Sequence, residues 1–438
     1  MLRIREFFAN KNVLITGGTG LVGVSLVEKL LRAFPEIGSI NLVVRRKNGE
    51  SLGQRSSNYF SLDAFDCLKR SNVDLTSKIV WLEGDISEPN LGLSEDSLKH
   101  ISDTVNVIYH AAATVRFVEP LKNAINLNLC GTNEVFKIAK RCTNLNCFMH
   151  VSTAFINHRF SRSSIQDRSY EMSQDPLDLI RMHDTLTKDE IEVKAKTYLK
   201  DWPNTYIYTK NAAENLLYKN NTDMKIGIFR PGSISEAYQE PYPYWMINCS
   251  AFSAILRKAH TGLMFNLNPK AKGNMIPIDL STNALIAATC DAANIKEKTK
   301  FYTLITNKPT WFEQYHMYIK NIKDPWLMFG SLKYRFLSHM KDLVLEMNGR
   351  KGIYVKEIQR HEKMMQLMEH FMYKEFQFES KNIDDLWESM DQEERKLLFF
   401  DFSQVDWQSY FENMYHANKK HLVDMMDYKP TLKALTTL

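Results

Sequence analysis

The sequence predicts an α/β protein: a doubly wound parallel sheet over residues 1–308, followed by a smaller, mostly helical C-terminal domain over residues 309–438. Three observations carry that prediction. Near the start, Val13-Leu14-Ile15 runs into a glycine turn and then into the helical run Leu26-Val27-Glu28-Lys29-Leu30-Leu31. Short β-rich runs then alternate with helical stretches as far as Phe301-Tyr302-Thr303-Leu304-Ile305, the rhythm of a mostly parallel sheet. Beyond Lys308 the pattern turns helical, and Met364, Met368, Phe371 and Met372 recur at i, i+4, i+7 and i+8, marking one buried helix face. At 438 residues the chain exceeds what one core ordinarily fills, in keeping with two domains.

The glycine turn reads Thr16-Gly17-Gly18-Thr19-Gly20-Leu21-Val22-Gly23. Glycines let the backbone turn tightly and approach a pyrophosphate, whose charge is met by free N–H groups at the positive end of the following helix. Strand, turn and helix together give a Rossmann-type dinucleotide site lined by Thr16, Gly17, Gly20, Leu21, Val22 and Gly23. The Gly-x-x-Gly-x-x-Gly spacing departs from the Gly-x-Gly-x-x-Gly of simple dehydrogenases. The next apolar run, Ile40-Asn41-Leu42-Val43-Val44, ends on Arg45-Arg46-Lys47, with no acid before Glu50. An acid there would grip a ribose 2′-hydroxyl, whereas an arginine accommodates a 2′-phosphate. The expected cofactor is therefore NADPH, with Arg45 and Arg46 as its phosphate grip.

Three further strands follow. Ile79-Val80-Trp81-Leu82 leads to Glu83-Gly84-Asp85-Ile86, where Asp85 and Ile86 would flank an adenine. Val105-Asn106-Val107-Ile108-Tyr109 leads to His110 and to Ala111, Ala112 and Ala113, small enough for a flat adenosine and its ribose to lie against backbone. Cys147-Phe148-Met149-His150-Val151 leads to Ser152 and Thr153, at the strand end where open α/β sheets bind ligands. Hydroxyls placed there can donate to a substrate carbonyl oxygen. Much farther along, Tyr206 and Lys210 stand four apart in Trp202-Pro203-Asn204-Thr205-Tyr206-Ile207-Tyr208-Thr209-Lys210. On a helix that pair shares one face, so an ammonium beneath the phenol would favour its ionised form and fit it for acid–base work near neutral pH.

In this order and spacing the set resembles the extended short-chain dehydrogenase/reductases, and within them the alcohol-forming fatty acyl-CoA reductases. The resemblance covers nearly the whole chain. It rests also on His150-Val151-Ser152-Thr153-Ala154-Phe155, on Trp202-Pro203-Asn204-Thr205-Tyr206, and on Pro277-Ile278-Asp279 with Asn283-Ala284-Leu285-Ile286. Phe400-Asp401-Phe402 with Asp406-Trp407 and Tyr410 is similar to the family's C-terminal helical domain. The resemblance implies roles for Asn128, in Asn128-Leu129-Cys130-Gly131-Thr132, as support for the active-site strand and lysine, and for Pro231 and Gly232 beside the nicotinamide. It also implies reduction of a long-chain acyl-CoA through a bound aldehyde to an alcohol. Tyr206 would protonate the oxyanion, Thr153 and Ser152 would bond the same oxygen, and Lys210 would hold the nicotinamide ribose and keep the tyrosine acidic. Two departures stand out. The family's Gly-rich stretch is replaced by Asn248-Cys249-Ser250-Ala251-Phe252-Ser253-Ala254, expected to border the substrate cleft, and the chain ends at Leu438 without a hydrophobic tail.

The +5 formal charge is spread in mixed-sign patches, unlike the concentrated basic face of a nucleic-acid binder. Six cysteines without a Cys-x-x-Cys pair, and no secretory leader, point to an intracellular, reduced protein. His361-Glu362 opens a zinc-protease pattern, but Met365 stands where its second histidine would be, so no metal site is expected. No run reaches the roughly twenty apolar residues that span a bilayer, and no peroxisomal or endoplasmic-reticulum address closes the chain. An acyl substrate would still favour contact with either organelle's membrane surface. The alternatives are an extended reductase or epimerase acting on a sugar nucleotide or small carbonyl, and a cofactor-binding scaffold without turnover.

Overall fold

The computed structural model describes residues 3–46, 49–71, 77–160, 164–247, 270–306, 313, 330–414 and 416–417. Contacts divide the chain into two units. The first holds Met1–Ile247, Met275–Thr306 and Phe376–Asp401, and the second Asn248–Asn274, Asn307–Glu375 and Phe402–Leu438. Residues 376–401, which the sequence reading placed in the C-terminal domain, thus return to the first unit.

The first unit is built on seven parallel strands: β1 (Val13–Thr16), β2 (Ile40–Val44), β3 (Ile79–Glu83), β4 (Val107–His110), β5 (Cys147–Val151), β7 (Ile226–Pro231) and β10 (Thr299–Leu304). Short pairs elsewhere are β6 (Ser164–Ile165) with β11 (Gln377–Phe378), and β8 (Ser233–Ser235) with β9 (Met275–Pro277). The large sheet runs β10-β7-β5-β4-β1-β2-β3. Its central strands are buried throughout, as a parallel sheet covered on both faces requires. On one face Leu14, Val43, Ile108, Phe148 and Ile228 pack with Val135, Phe136 and Ile138 of the helix Gly131–Ala139. The helices Leu21–Ala33 and Ile278–Asn294 are tied together by the Ser25 and Thr282 hydroxyls, 2.7 Å apart.

Residues 376–401 are stitched to the sheet's β10 side. Asn382 donates to the Phe301 carbonyl at 2.8 Å, β11 pairs with β6 through Gln377↔Ser164, and Asn283 donates to the Phe399 carbonyl at 2.9 Å. In the second unit, Asp342 on the helix Gly330–Met347 accepts the amides of Ile353, Tyr354 and Val355 at 2.8–2.9 Å and so caps the helix Tyr354–Tyr373. Met368 and Phe371 of the expected apolar stripe are buried there. The side chains of Met364 and Met372 lie outside the described residues, as do Asn248–Ala254.

Candidate active site

Strand order reverses between β1 and β4, and Thr16 and His110 end those strands in register. Ligands bind open sheets at such a point. Thr132 donates its hydroxyl to the Asn128 carbonyl at 2.7 Å, so it accepts from His110 Nε2 at 2.9 Å. His110 Nδ1 then accepts from the Thr16 hydroxyl at 2.7 Å. This neutral imidazole, which burial pulls down to about 3, locks the switch point rather than titrating in it.

The glycines differ in their reasons. Gly17 has φ +76°, and a Cβ there would lie 2.6 Å from the Ala112 nitrogen. At Gly23 it would lie 2.2 Å from the Gly17 oxygen, whereas at Gly20 the nearest atom is 3.4 Å away. The Ala111 amide donates to the Thr16 carbonyl at 3.1 Å, so turn and alanine loop form one backbone-lined cradle. The helix Leu21–Ala33 starts at Gly20 with no side-chain cap, which leaves first-turn N–H groups near Leu21 and Val22 free for an anion. These features fit a dinucleotide pyrophosphate. Gly23→Ala is expected to weaken dinucleotide binding at least tenfold and to reduce stability by ~1–3 kcal/mol, because backbone must move. Gly20→Ala should change stability by less than ~0.5 kcal/mol. Cofactor titration and urea unfolding check both, and equal effects would refute the steric distinction.

Arg45 and Arg46 follow β2 with highly exposed side chains, Arg45 lying 3.9 Å from Asp85 and Arg46 paired with Glu83. Surface pairs of this kind are worth about 1 kcal/mol or less, so both guanidiniums can re-aim toward a phosphate. Asp85 accepts from the Ser87 amide at 2.9 Å and hydroxyl at 2.8 Å, which fixes the turn after β3. Ile86 packs on Gly131, where a Cβ would sit 2.9 Å from the Ile86 carbonyl oxygen.

Asn204 caps the helix Thr205–Asn220 by accepting from the Ile207 amide at 2.9 Å, an arrangement worth about 1 kcal/mol. That helix brings Tyr206 to the end of β5, where the Thr153 hydroxyl neighbours its phenol and its ring stacks with Phe117 at 6.0 Å. Ser152 beside it is buried, and its Oγ has no partner among the described residues. One turn on, Lys210 is 2 % exposed and donates to the Val151 carbonyl at 2.6 Å, with His150 Nε2 at 3.2 Å. Tyr208 is instead a core residue, 5.4 Å from the Trp202 ring.

Two expectations are corrected. Lys210 does not keep the phenol acidic: burial raises Tyr206 above its ordinary value and the neighbouring Thr153 hydroxyl only partly offsets it. The lysine is aimed at β5, and its own burial, opposed by Glu214, brings it down to about 7. Asn128 does not touch β5 or Lys210. From a π-turn, Ile125–Cys130, it accepts from the Thr114 amide at 2.8 Å and donates to the Thr114 carbonyl at 3.2 Å and to Thr209 Oγ1 at 3.0 Å. It thereby ties the loop after β4 to the Tyr206 helix. Pro231 closes β7 and the Gly232 amide donates to Leu304 at 2.9 Å. Behind them Arg230 and Glu214 form a buried forked ion pair, 2.6 Å at its shortest. The sequence reading missed Phe117, His150, Glu214 and Thr209. Only His150, immediately before Val151-Ser152-Thr153, carried a local signal.

Two family models, both described as male sterility protein, match residues 15–285 and 333–425. The chain is 31% identical to human fatty acyl-CoA reductase 1, covering 97% of this chain and 87% of that one. It is also 31% identical to the Drosophila melanogaster fatty acyl-CoA reductase wat, covering 96% and 86%. The chain belongs to the fatty acyl-CoA reductase family. It is thus an oxidoreductase, and the family's first domain, which holds the glycine cradle, is a nicotinamide-dinucleotide domain. The fold agrees with the terminal reductase domain of the myxalamid biosynthetic pathway, at TM-score 0.63 and 19% identity over 94% of this chain and 91% of that one.

Proposed function

We propose that this member of the family reduces a long-chain fatty acyl-CoA with NADPH to a fatty alcohol, through a bound aldehyde and with release of CoA. The observation that carries the reading is the Tyr206 phenol next to the Thr153 hydroxyl at the end of β5, with Lys210 one helical turn away on the Val151 carbonyl. A phenol held protonated by burial is in the right state to act as an acid in reduction. When bound, NADPH supplies the hydride. As the thioester carbon gains it, Tyr206 gives its proton to the carbonyl oxygen, to which Thr153 and the unpartnered Ser152 hydroxyl also donate. The hemithioacetal then reforms its carbonyl as the C–S bond breaks and CoA departs as the thiol, leaving the aldehyde. A second hydride and a second proton make the alcohol. Lys210, Pro231 and Gly232 would border the nicotinamide and its ribose, Ala111 to Ala113 with Asp85 and Ile86 the adenosine, and Asn128 holds the loop between them.

The chain's place is intracellular, against a peroxisomal or endoplasmic-reticulum membrane surface, because its substrate dissolves in membranes. Among the described residues no helix is long and apolar enough to cross one.

Purified protein given NADPH and an acyl-CoA series should yield alcohol, with activity rising with chain length to a limit, since each buried methylene contributes about 0.8 kcal/mol. Replacing Arg45 and Arg46 together with Ala should weaken NADPH at least tenfold more than NADH. A flat chain-length profile, or turnover only of sugar nucleotides, would overturn the substrate assignment. Equal losses for both cofactors would overturn the phosphate grip.

A further inference from the structure

We propose that His150 is a positioning residue for Lys210, its Nε2 accepting one N–H of the ammonium so that the remaining N–H is aimed at the cofactor ribose. The inference rests on the reading that Lys210 holds that ribose. An ammonium has three N–H bonds and no lone pair. Two are engaged at the end of β5, by the Val151 carbonyl at 2.6 Å and by His150 Nε2 at 3.2 Å, and the described residues give the third no partner. Tetrahedral geometry makes the third direction a consequence of the other two.

The imidazole is arranged for this role at a local cost. Since the charged Lys210 can only donate, His150 Nε2 must accept from it, and the ring proton sits on Nδ1, which is buried and has no partner among the described residues. A buried donor left unpaired is unfavourable, so something must hold the ring in that tautomer. The lysine does so. His150 is wholly enclosed, and burial with Lys210 and His110 nearby holds it well below its ordinary value, so it stays a neutral acceptor across the working range. The titratable and charged groups facing the pair are few. His110 of β4 stands 5.3 Å away, ring to ring, and is engaged by Thr16 and Thr132. Tyr206 lies one turn back on the lysine's own helix. Glu214 lies one turn on, clamped by Arg230 of β7. Burial brings Lys210 down to about 7 and Glu214 opposes that. The hydrogen bond that Lys210 donates to His150 adds further support to the charged form.

The test measures NADPH affinity by fluorescence titration from pH 5.5 to 9 for the full chain, Lys210→Met, His150→Leu, His150→Asn and His150→Gln. In the parent, affinity should fall as pH rises through about 7, and Lys210→Met should remove that dependence. A parent profile identical to that of Lys210→Met would refute the reading of Lys210, and the proposal with it. Leu offers no acceptor, and the shorter Asn amide withdraws it from the ammonium while remaining polar in case Leu does not fold. In either, the midpoint should move down by about one pH unit, making affinity at pH 8 about tenfold weaker than the parent's. His150→Gln, whose amide oxygen reaches the Nε2 position, should restore the parent midpoint. A uniform loss at every pH with an unmoved midpoint, or no rescue by Gln, would show that His150 only fills space and would overturn the proposal.

Discussion

Tyr206→Phe is expected to leave NADPH affinity within about threefold of the parent and to lower turnover by on the order of a hundredfold or more. The substitution removes one oxygen. The ring still stacks on Phe117, the Asn204 cap is untouched, and Lys210 keeps its bond to the Val151 carbonyl, so the groups around the cofactor remain placed. What disappears is the phenol proton next to Thr153 at the end of β5. Single-turnover rates with saturating NADPH and an acyl-CoA isolate the chemical step from product release. Turnover within a few-fold of the parent would remove Tyr206 from the catalytic role. Tyr208 could not replace it, because its side chain lies in the core among Ala212, Leu216 and Leu129.

Glu214→Gln is expected to destabilise the protein by ~3–5 kcal/mol, the usual consequence of leaving one member of a buried ion pair uncompensated. Arg230 and Glu214 are 1% and 3% exposed, and the guanidinium fork closes on the carboxylate at 2.6 Å while also donating to the Arg168 carbonyl at 2.9 Å and covering the Phe301 ring. The same change should act on the site. Glu214 supports the Lys210 charge, so its loss lowers the lysine further and moves any fall in cofactor affinity to lower pH. Replacing both partners with apolar residues of similar volume should recover most of the stability. Urea unfolding of the parent, Glu214→Gln and the double variant decides it. A loss under about 1 kcal/mol in Glu214→Gln would mean that the pair is solvated and contributes little.

Much of the site was legible because it is local. Gly17, Gly20 and Gly23 declare a turn by composition, and Tyr206 and Lys210 share a helix face by spacing alone. Phe117 and Thr209 were not legible, since each meets its partner across a large sequence separation, and Glu214 was not, since its ion-pair partner Arg230 lies on a different element. Asn128 shows the limit of transfer by resemblance. Its amide braces Thr114 and Thr209 instead of the lysine.

The sequence by itself determined the parallel sheet, the glycine cradle and the sharing of one helix face by Tyr206 and Lys210, because periodicity, glycine placement and i,i+4 spacing act within a few residues. Only the tertiary structure decided the protonation states and the path of the chain beyond β10. Tyr206 rises and Lys210 falls because burial by distant segments outweighs what Thr153 and Glu214 do in the opposite direction. Residues 376–401 return to the sheet because the Phe301 and Phe399 carbonyls find donors in Asn382 and Asn283, a match between distant parts of the chain that no local pattern encodes.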